Sequence, residues 1–247
     1  MATMPRKLSI SRYDANAQSD KIFVAFVLLC LCAVHSASGQ ISGNATVVSD
    51  YRYRGMSLSQ GNPEGQLSVA YDNSANWYAG GLVSGVRLDD FNTEQFIAYG
   101  GYTTSLFSGL SLDGGISNTT FRQASDYNYN EAYIGLTSNS FNTRLYYSPS
   151  YFYQNARTVY GELNVPYTIT DNVQLLSHLG LLHHLTDNAS TEVDLSTRYD
   201  YRIGLDVRVS DWNFQIALVG LQKKSNTYEQ YDDRHLHTWL LSATYSF

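Results

Sequence analysis

Side chains on a β-strand point alternately to its two faces, so strict apolar–polar alternation predicts a strand with one apolar and one polar face. Residues 199–209 show this most clearly. Tyr199, Tyr201, Ile203, Leu205, Val207 and Val209 share one face, and Asp200, Arg202, Gly204, Asp206 and Arg208 the other. In 41–54, Ala45, Val47, Tyr51 and Tyr53 oppose Asn44, Thr46, Asp50, Arg52 and Arg54. In 141–148, Phe141, Leu145 and Tyr147 oppose Asn142, Arg144 and Ser148, and in 159–167, Val159, Leu163, Val165 and Tyr167 oppose Tyr160, Glu162 and Asn164. Segment 212–222 behaves alike, with Trp212, Phe214, Ile216 and Leu218 against Asn213, Gln215 and Ala217. Segments 77–86 and 92–104 are rich in Gly and aromatic residues, and their faces stay unassigned.

Breaks in the pattern predict about twelve strands of ~10 residues, the length a tilted strand needs to cross a bilayer core. They fall at 41–54, 64–72, 76–86, 93–104, 108–121, 129–138, 141–149, 156–168, 172–184, 197–209, 211–222 and 235–247. The connections alternate in length. Those at 72–76, 105–108, 139–140, 169–171 and 210 are short; those at 55–63, 87–92, 122–128, 150–155, 185–196 and 223–234 are long. Short periplasmic turns and longer outside loops are the habit of outer-membrane barrels, and an even strand count puts both chain ends on the short-turn side. The expected fold is therefore all-β: a closed antiparallel transmembrane β-barrel in the outer membrane of a Gram-negative bacterium.

Composition agrees. Of 247 residues, 21 are Tyr, 18 Gly and 4 Pro, and 15% are charged. Mean hydropathy is −0.27, which excludes a bundle of transmembrane helices. Ahead of the strands lies a basic segment with Arg6, Lys7, Arg12 and Lys21, then an apolar run from Ile22 to Val34 too short to span a bilayer. Ala37 and Gly39 satisfy the small-x-small rule, so residues 1–39 read as a signal peptide cleaved before Gln40, and 40–247 as the barrel. The plainer alternative is an uncleaved anchor. Cys30 and Cys32 lie inside that run, and the rest of the chain has no thiol chemistry. Residues 1–39 carry four basic and two acidic residues, which leaves 12 basic and 20 acidic, a net charge of −8. Such a chain has little to offer nucleic acid, because phosphate binding needs Lys and Arg.

The polar faces carry the candidate chemistry. Asp50, Arg52, Arg54, Glu131, Arg144, Glu162, Asp200, Arg202, Asp206 and Arg208 are expected to line the lumen. With both signs present, they either border a wet channel or pair across the lumen and plug it. Tyr51, Tyr53, Trp77, Tyr147, Tyr167, Tyr199, Trp212, Trp239, Tyr245 and Phe247 read as aromatic girdles. At the C-terminus Trp239, Leu241, Ala243, Tyr245 and Phe247 share a face. This ending resembles the signal read by the barrel-assembly machinery of Gram-negative bacteria, and an ordinary amphipathic edge strand is the alternative.

Catalysis and metal binding find weaker support. His178, His183 and His184 share a predicted strand, but Ser177 faces away from His178, so the two cannot form a dyad; a Ser from a neighbouring strand stays open for His183. The plain reading of these histidines is polar lumen and interface. His235 and His237 share a face, yet no carboxylate or Cys follows at ligand spacing, so neither a metal site nor a cofactor is assigned. Asp187, Glu192, Asp194, Asp232 and Asp233 make outside loops acidic, either as solvated loops or as holders of divalent cations bridging lipopolysaccharide.

One stretch carries a resemblance. Val48-Ser-Asp-Tyr-Arg-Tyr-Arg-Gly-Met-Ser57 is similar to the opening motif of the TorF-type porin family, the proteobacterial Gcw-type outer-membrane proteins. Ala98–Tyr102, Tyr129–Gly135, Leu145–Phe152 and Leu241–Phe247 match in family order across the mature chain. The resemblance implies a porin with no established substrate and no catalytic residues, and set roles for Asp50, Arg52, Arg54, Gly55, Glu131 and Pro149. The long basic N-terminus and the His-bearing segment 178–184 depart from the pattern. The leading expectation is a passive channel for small hydrophilic solutes or ions. Its rivals are an outer-membrane lipid-modifying enzyme and a filled structural or adhesion barrel. Expected partners are outer-membrane lipids and lipopolysaccharide, the barrel-assembly machinery and small solutes; homo-oligomerisation stays open.

Overall fold

The computed structural model describes residues 39–88, 91–152, 156–185, 197–223 and 237–247. Residues 1–38, nearly all of the segment expected as a signal peptide, the acidic loop residues Asp187, Glu192, Asp194, Asp232 and Asp233, and His235 lie outside the described residues, whereas Gly39, expected as the last signal residue, opens β1. The strands are β1 (Gly39–Val48), β2 (Arg52–Tyr53), β3 (Met56–Ser57), β4 (Glu64–Asn73), β5 (Trp77–Leu88), β6 (Phe91–Phe107) and β7 (Leu110–Phe121), followed by β8 (Tyr129–Ser138), β9 (Asn142–Tyr151), β10 (Ala156–Thr170), β11 (Val173–His184), β12 (Arg198–Val209), β13 (Trp212–Lys223) and β14 (His237–Ser246).

Twelve of these form one closed barrel in the order β1-β14-β13-β12-β11-β10-β9-β8-β7-β6-β5-β4, and β2 and β3 form a separate two-stranded hairpin. All neighbours around the ring pair antiparallel. Closure matters physically because an unpaired strand edge in lipid leaves N–H and C=O groups with no partner. The seam is short. β1 and β14 share register from Asn44↔Ser246 to Val48↔Ser242, and the Gly43 and Phe247 amides each donate to the other's carbonyl at 2.9 Å.

The alternation sorts the residues as the period of two requires. Apolar side chains turn outward and stay exposed, among them Ile116, Ile134, Leu163, Leu179, Ile203, Phe214 and Leu241. Trp77, Tyr147, Tyr167, Tyr199, Trp212, Trp239, Tyr245 and Phe247 are exposed with them. Inward positions hold tyrosines and charges, for example Tyr129, Glu131 and Tyr133 of β8.

The first strand departs from expectation. The alternation in 41–54 predicts a single wall strand, but β1 ends at Val48 and the chain turns inward. The segment expected as an outside loop at 55–63 therefore belongs partly to the lumen. Tyr51 and Tyr53 are not girdle residues: Tyr51 is 8% exposed and both pack in the interior cluster. The reason is that alternation reports which faces are apolar but not whether a strand continues in the same sheet. A buried hairpin alternates as well as a wall strand does.

Candidate functional site

The inward segment is built around a two-residue turn. Arg52–Tyr53 pairs with Met56–Ser57, and the turn residues Arg54 and Gly55 have φ of 49° and 77°. Tight hairpin turns of the type I′ class require positive φ at both central residues. Glycine accepts this without strain. A side chain at 55 would also collide with the wall, because an added Cβ would sit 2.7 Å from the Asp200 Cβ.

Asp50 holds the base of the hairpin. Its carboxylate pairs with the Arg52 Nε at 2.7 Å and accepts hydrogen bonds from the Ser57 hydroxyl, the Ser59 hydroxyl at 3.0 Å and the Gly61 amide at 3.3 Å. The Ser59 hydroxyl in turn accepts from the Tyr51 amide at 2.8 Å. Tyr51 reaches β6, where its hydroxyl donates to the side-chain Oε1 of Gln95 at 2.7 Å. Burial pushes the Tyr51 phenol well above its usual range, so it stays a neutral donor. The Leu58 carbonyl accepts from the Arg87 amide of β5 at 2.6 Å.

Arg54 forms the tip. Its guanidinium donates to both oxygens of Glu131 on β8, at 2.9 and 2.8 Å, and both side chains are nearly free of solvent. It also lies over the rings of Tyr53, Tyr146, Tyr151 and Tyr160 at 5.0, 5.0, 5.2 and 4.2 Å. Strand β9 stands six places from β1 in either direction round the ring. Contacts with β8, β9 and β10 therefore mean that the hairpin leaves β1 and crosses the full width of the lumen. It is latched on the far wall by a two-pronged ion pair inside an aromatic box.

A cavity of about 310 Å³ lies against the hairpin, bordered by Arg52, Tyr53, Arg54 and Gly55 and by wall residues of β9 to β13. The wall register sets its layers. Glu162, Gly180 and Asp200 form one row across β10, β11 and β12, and Asn164, His178 and Arg202 form the next row toward the short-turn end. His178 Nε2–H donates to Asp200 Oδ1 at 2.9 Å, and Nδ1 lies 2.7 Å from Asn164 Oδ1. The Tyr160 hydroxyl donates to Asp200 Oδ2 at 3.2 Å, lying over Gly180, where any Cβ would displace it. Tyr146 donates to Glu162 Oε1 at 3.2 Å.

Of the ten charges expected in the lumen, Asp50, Arg52 and Arg54 enter it on the hairpin rather than on the wall. Glu131, Glu162, Asp200 and Arg202 come together around the tip and the cavity. Arg144 joins a second cluster instead, pairing with Asp113 at 3.0 Å under Tyr133. There Tyr78 donates to Asp113 at 3.0 Å and shares a 2.9 Å contact with the Tyr133 hydroxyl. Asp206 and Arg208 lie on the same face of β12 but further toward the short-turn end, half-buried and exposed respectively. Sequence reasoning missed Tyr146, Tyr160, Asp113 and Gln95. Tyr160 already stands on the polar face of its strand, a signal that it points inward. Asp113 lies in a Gly-rich stretch whose alternation is weak. Both nitrogens of His178 face oxygen atoms, which leaves neither to activate a nucleophile, and His183 instead meets the Thr197 hydroxyl at 3.0 Å. Among the described residues, no cluster of three His, Cys, Asp or Glu could hold a metal.

Among solved structures, a NanC porin superposes with a TM-score of 0.57 and 13% identity, over 83% of this chain and 99% of that one. A KdgM porin gives a TM-score of 0.50 and 12% identity, over 84% of this chain and 98% of that one. Identities this low speak to the fold alone, and that fold is the closed twelve-stranded antiparallel barrel described above. No curated protein matches the sequence at a significant level. A family model described as "Bacterial protein of unknown function (Gcw_chp)" matches residues 33–247, nearly the whole chain and all of the barrel. The protein is therefore a β-barrel member of the Gcw_chp family.

Proposed function

We propose that the protein is an outer-membrane channel of a Gram-negative bacterium, through which small hydrophilic solutes or ions diffuse passively, and that the hairpin at 50–61 forms its constriction. The observation that carries this reading is the charged, tyrosine-lined interior beside the hairpin, enclosed by a wall whose outer face is apolar. A barrel that served only as a structural or adhesion body could fill its lumen with apolar side chains. This one keeps ion pairs and a polar cavity along the path between its two ends. The porin names of the similar barrels, and the resemblance of the 48–57 motif to the TorF-type porins, support the same reading by analogy. The lumen charges Glu162, Asp200 and Arg202 face the solute. Trp239, Leu241, Tyr245 and Phe247 present the assembly signal to the barrel-assembly machinery, with lipid and lipopolysaccharide around the wall. No catalytic residue and no cofactor is part of this reading.

The test is single-channel conductance of the purified, folded protein in a planar bilayer. Steady steps that scale with salt support a water-filled path. Silence from a barrel shown to be folded by its heat-dependent shift on SDS gels would leave the filled structural barrel as the better account.

A further inference from the structure

The cavity beside the hairpin contains one positive and one negative side chain that the lumen's own pairing leaves available. Arg54 is matched by Glu131, Arg52 by Asp50, and His178 by Asp200. Arg202 and Glu162 remain. Among the described residues the Arg202 Nε is buried without a hydrogen-bond partner, and the Glu162 carboxylate receives a hydrogen bond from Tyr146 at one oxygen. The two stand in adjacent rows, on β12 and β10, with β11 between them. Strands neighbour each other at about 4.8 Å, so side chains from these two positions can converge on one small molecule. The volume of about 310 Å³ is at the low end of small-molecule sites, roughly 300–1,000 Å³.

We propose that this cavity is a binding subsite for a small zwitterionic solute, a free α-amino acid or short peptide, whose carboxylate is held by Arg202 and whose ammonium group is held by Glu162. The proposal deepens the channel reading and rests on it. Charge complementarity decides against the simpler ligands. A plain anion gains Arg202 but faces Glu162 and Asp200. A plain cation gains Glu162 but faces Arg202. A neutral polyol can hydrogen-bond to Asn164 and the tyrosines but leaves both charges unmatched in a partly dehydrated site. A solute with both charges satisfies both, and the planar guanidinium suits a carboxylate through two parallel hydrogen bonds.

Equilibrium binding to the folded, detergent-solubilised protein tests this, with L-glutamine as the zwitterion, N-acetyl-L-glutamine as the anion, L-glutamine methyl ester as the cation and glucose as the neutral probe. L-glutamine is expected to bind at least about tenfold more tightly than each of the others, the scale of one lost charge-assisted contact. Arg202→Gln should remove its advantage over the cation, and Glu162→Gln its advantage over the anion. Each variant is first shown to be folded by its heat-dependent gel shift. Glucose or N-acetyl-L-glutamine binding as tightly as L-glutamine would overturn the proposal, as would two folded variants with unchanged preference. Conductance on the same preparation separates the two readings. A conducting barrel without zwitterion preference defeats the subsite alone. A silent barrel that binds L-glutamine with this preference defeats the channel and leaves the subsite standing.

Discussion

Arg54 combines a left-handed backbone with a buried guanidinium, and the two have opposite energetic signs. A non-glycine residue at φ 49° costs about 1–3 kcal/mol. The bidentate pair with Glu131 and the four surrounding tyrosine rings hold the side chain in place, and removing one partner would leave the other charge buried and unpaired, at a cost of about 3–5 kcal/mol. These energies hold the hairpin to the far wall; the wall's own ladder does not depend on them. Arg54→Ala is therefore expected to undock the hairpin and leave the barrel folded. Trypsin should then cleave after Arg52, which the native hairpin shields, while the gel shift of the barrel stays unchanged. Glu131→Gln should give the same result more weakly, because the amide retains one acceptor. Gly55→Ala should act from the other side of the tip, through positive φ and the contact with Asp200. These roles were only partly legible in the residues. Arg52 and Arg54 were expected to face the lumen, and they do, but by crossing it rather than by lining it. The cage of Tyr146, Tyr151 and Tyr160 could not be read locally, because it assembles from β9 and β10, some ninety residues further along the chain.

The hairpin is also the element on which the channel reading turns. Replacing residues 51–60 with a short Gly-Ser turn should leave the twelve-strand wall intact, since among the described residues no wall strand pairs with β2 or β3. Conductance should then rise several-fold above the native value and exceed that of Arg54→Ala, in which the released segment still occupies the mouth. Equal conductance in the native and shortened proteins would show that the hairpin does not set the constriction. Alkali should loosen the same element. Burial holds the Tyr51 and Tyr53 phenols above their usual range when the hairpin is docked, whereas a released phenol ionises at about pH 10. Above that pH the docked form binds more protons than the released form, so docking weakens as pH rises and is unaffected below it. Tryptic cleavage after Arg52, followed against pH with a control peptide to correct for protease activity, checks the direction. At this scale the strands were largely legible. The pattern placed all twelve wall strands, with most ends within two residues, because a strand in a barrel keeps one apolar face along its whole length. It failed at 49–54, where alternation continues after the strand has left the wall.

For the whole molecule, the seam is the place where the ring is most easily opened. The β1–β14 ladder covers Asn44 to Val48, against Gly39 to Val48 for β1–β4, and the Gly43–Phe247 bonds close its short-turn end. Deleting Phe247 is expected to lower the amount of folded protein recovered in outer membranes by more than it lowers the stability of barrel refolded in detergent. The residue then serves recognition during assembly as well as two backbone hydrogen bonds at the seam. Equal losses in both measurements would assign it a seam role alone. The architecture follows from properties that a linear pattern can carry. Period-two alternation, low charge and alternating connection lengths already require a wall with two unlike faces, and such a wall must close to satisfy its backbone in lipid. The class of fold, the number of wall strands and the inward face of the clearly alternating strands such as 199–209 were thus readable from the chain alone, whereas the inward turn of Tyr51 and Tyr53 and the faces of 77–86 and 92–104 were not. Only the tertiary structure decided which inward charges meet. Pairing of Arg54 with Glu131, diversion of Arg144 to Asp113, and exposure of Arg202 and Glu162 to one cavity depend on strand register and on a hairpin spanning the lumen. Those are long-range contacts, between residues far apart in the chain, and local periodicity contains no information about them.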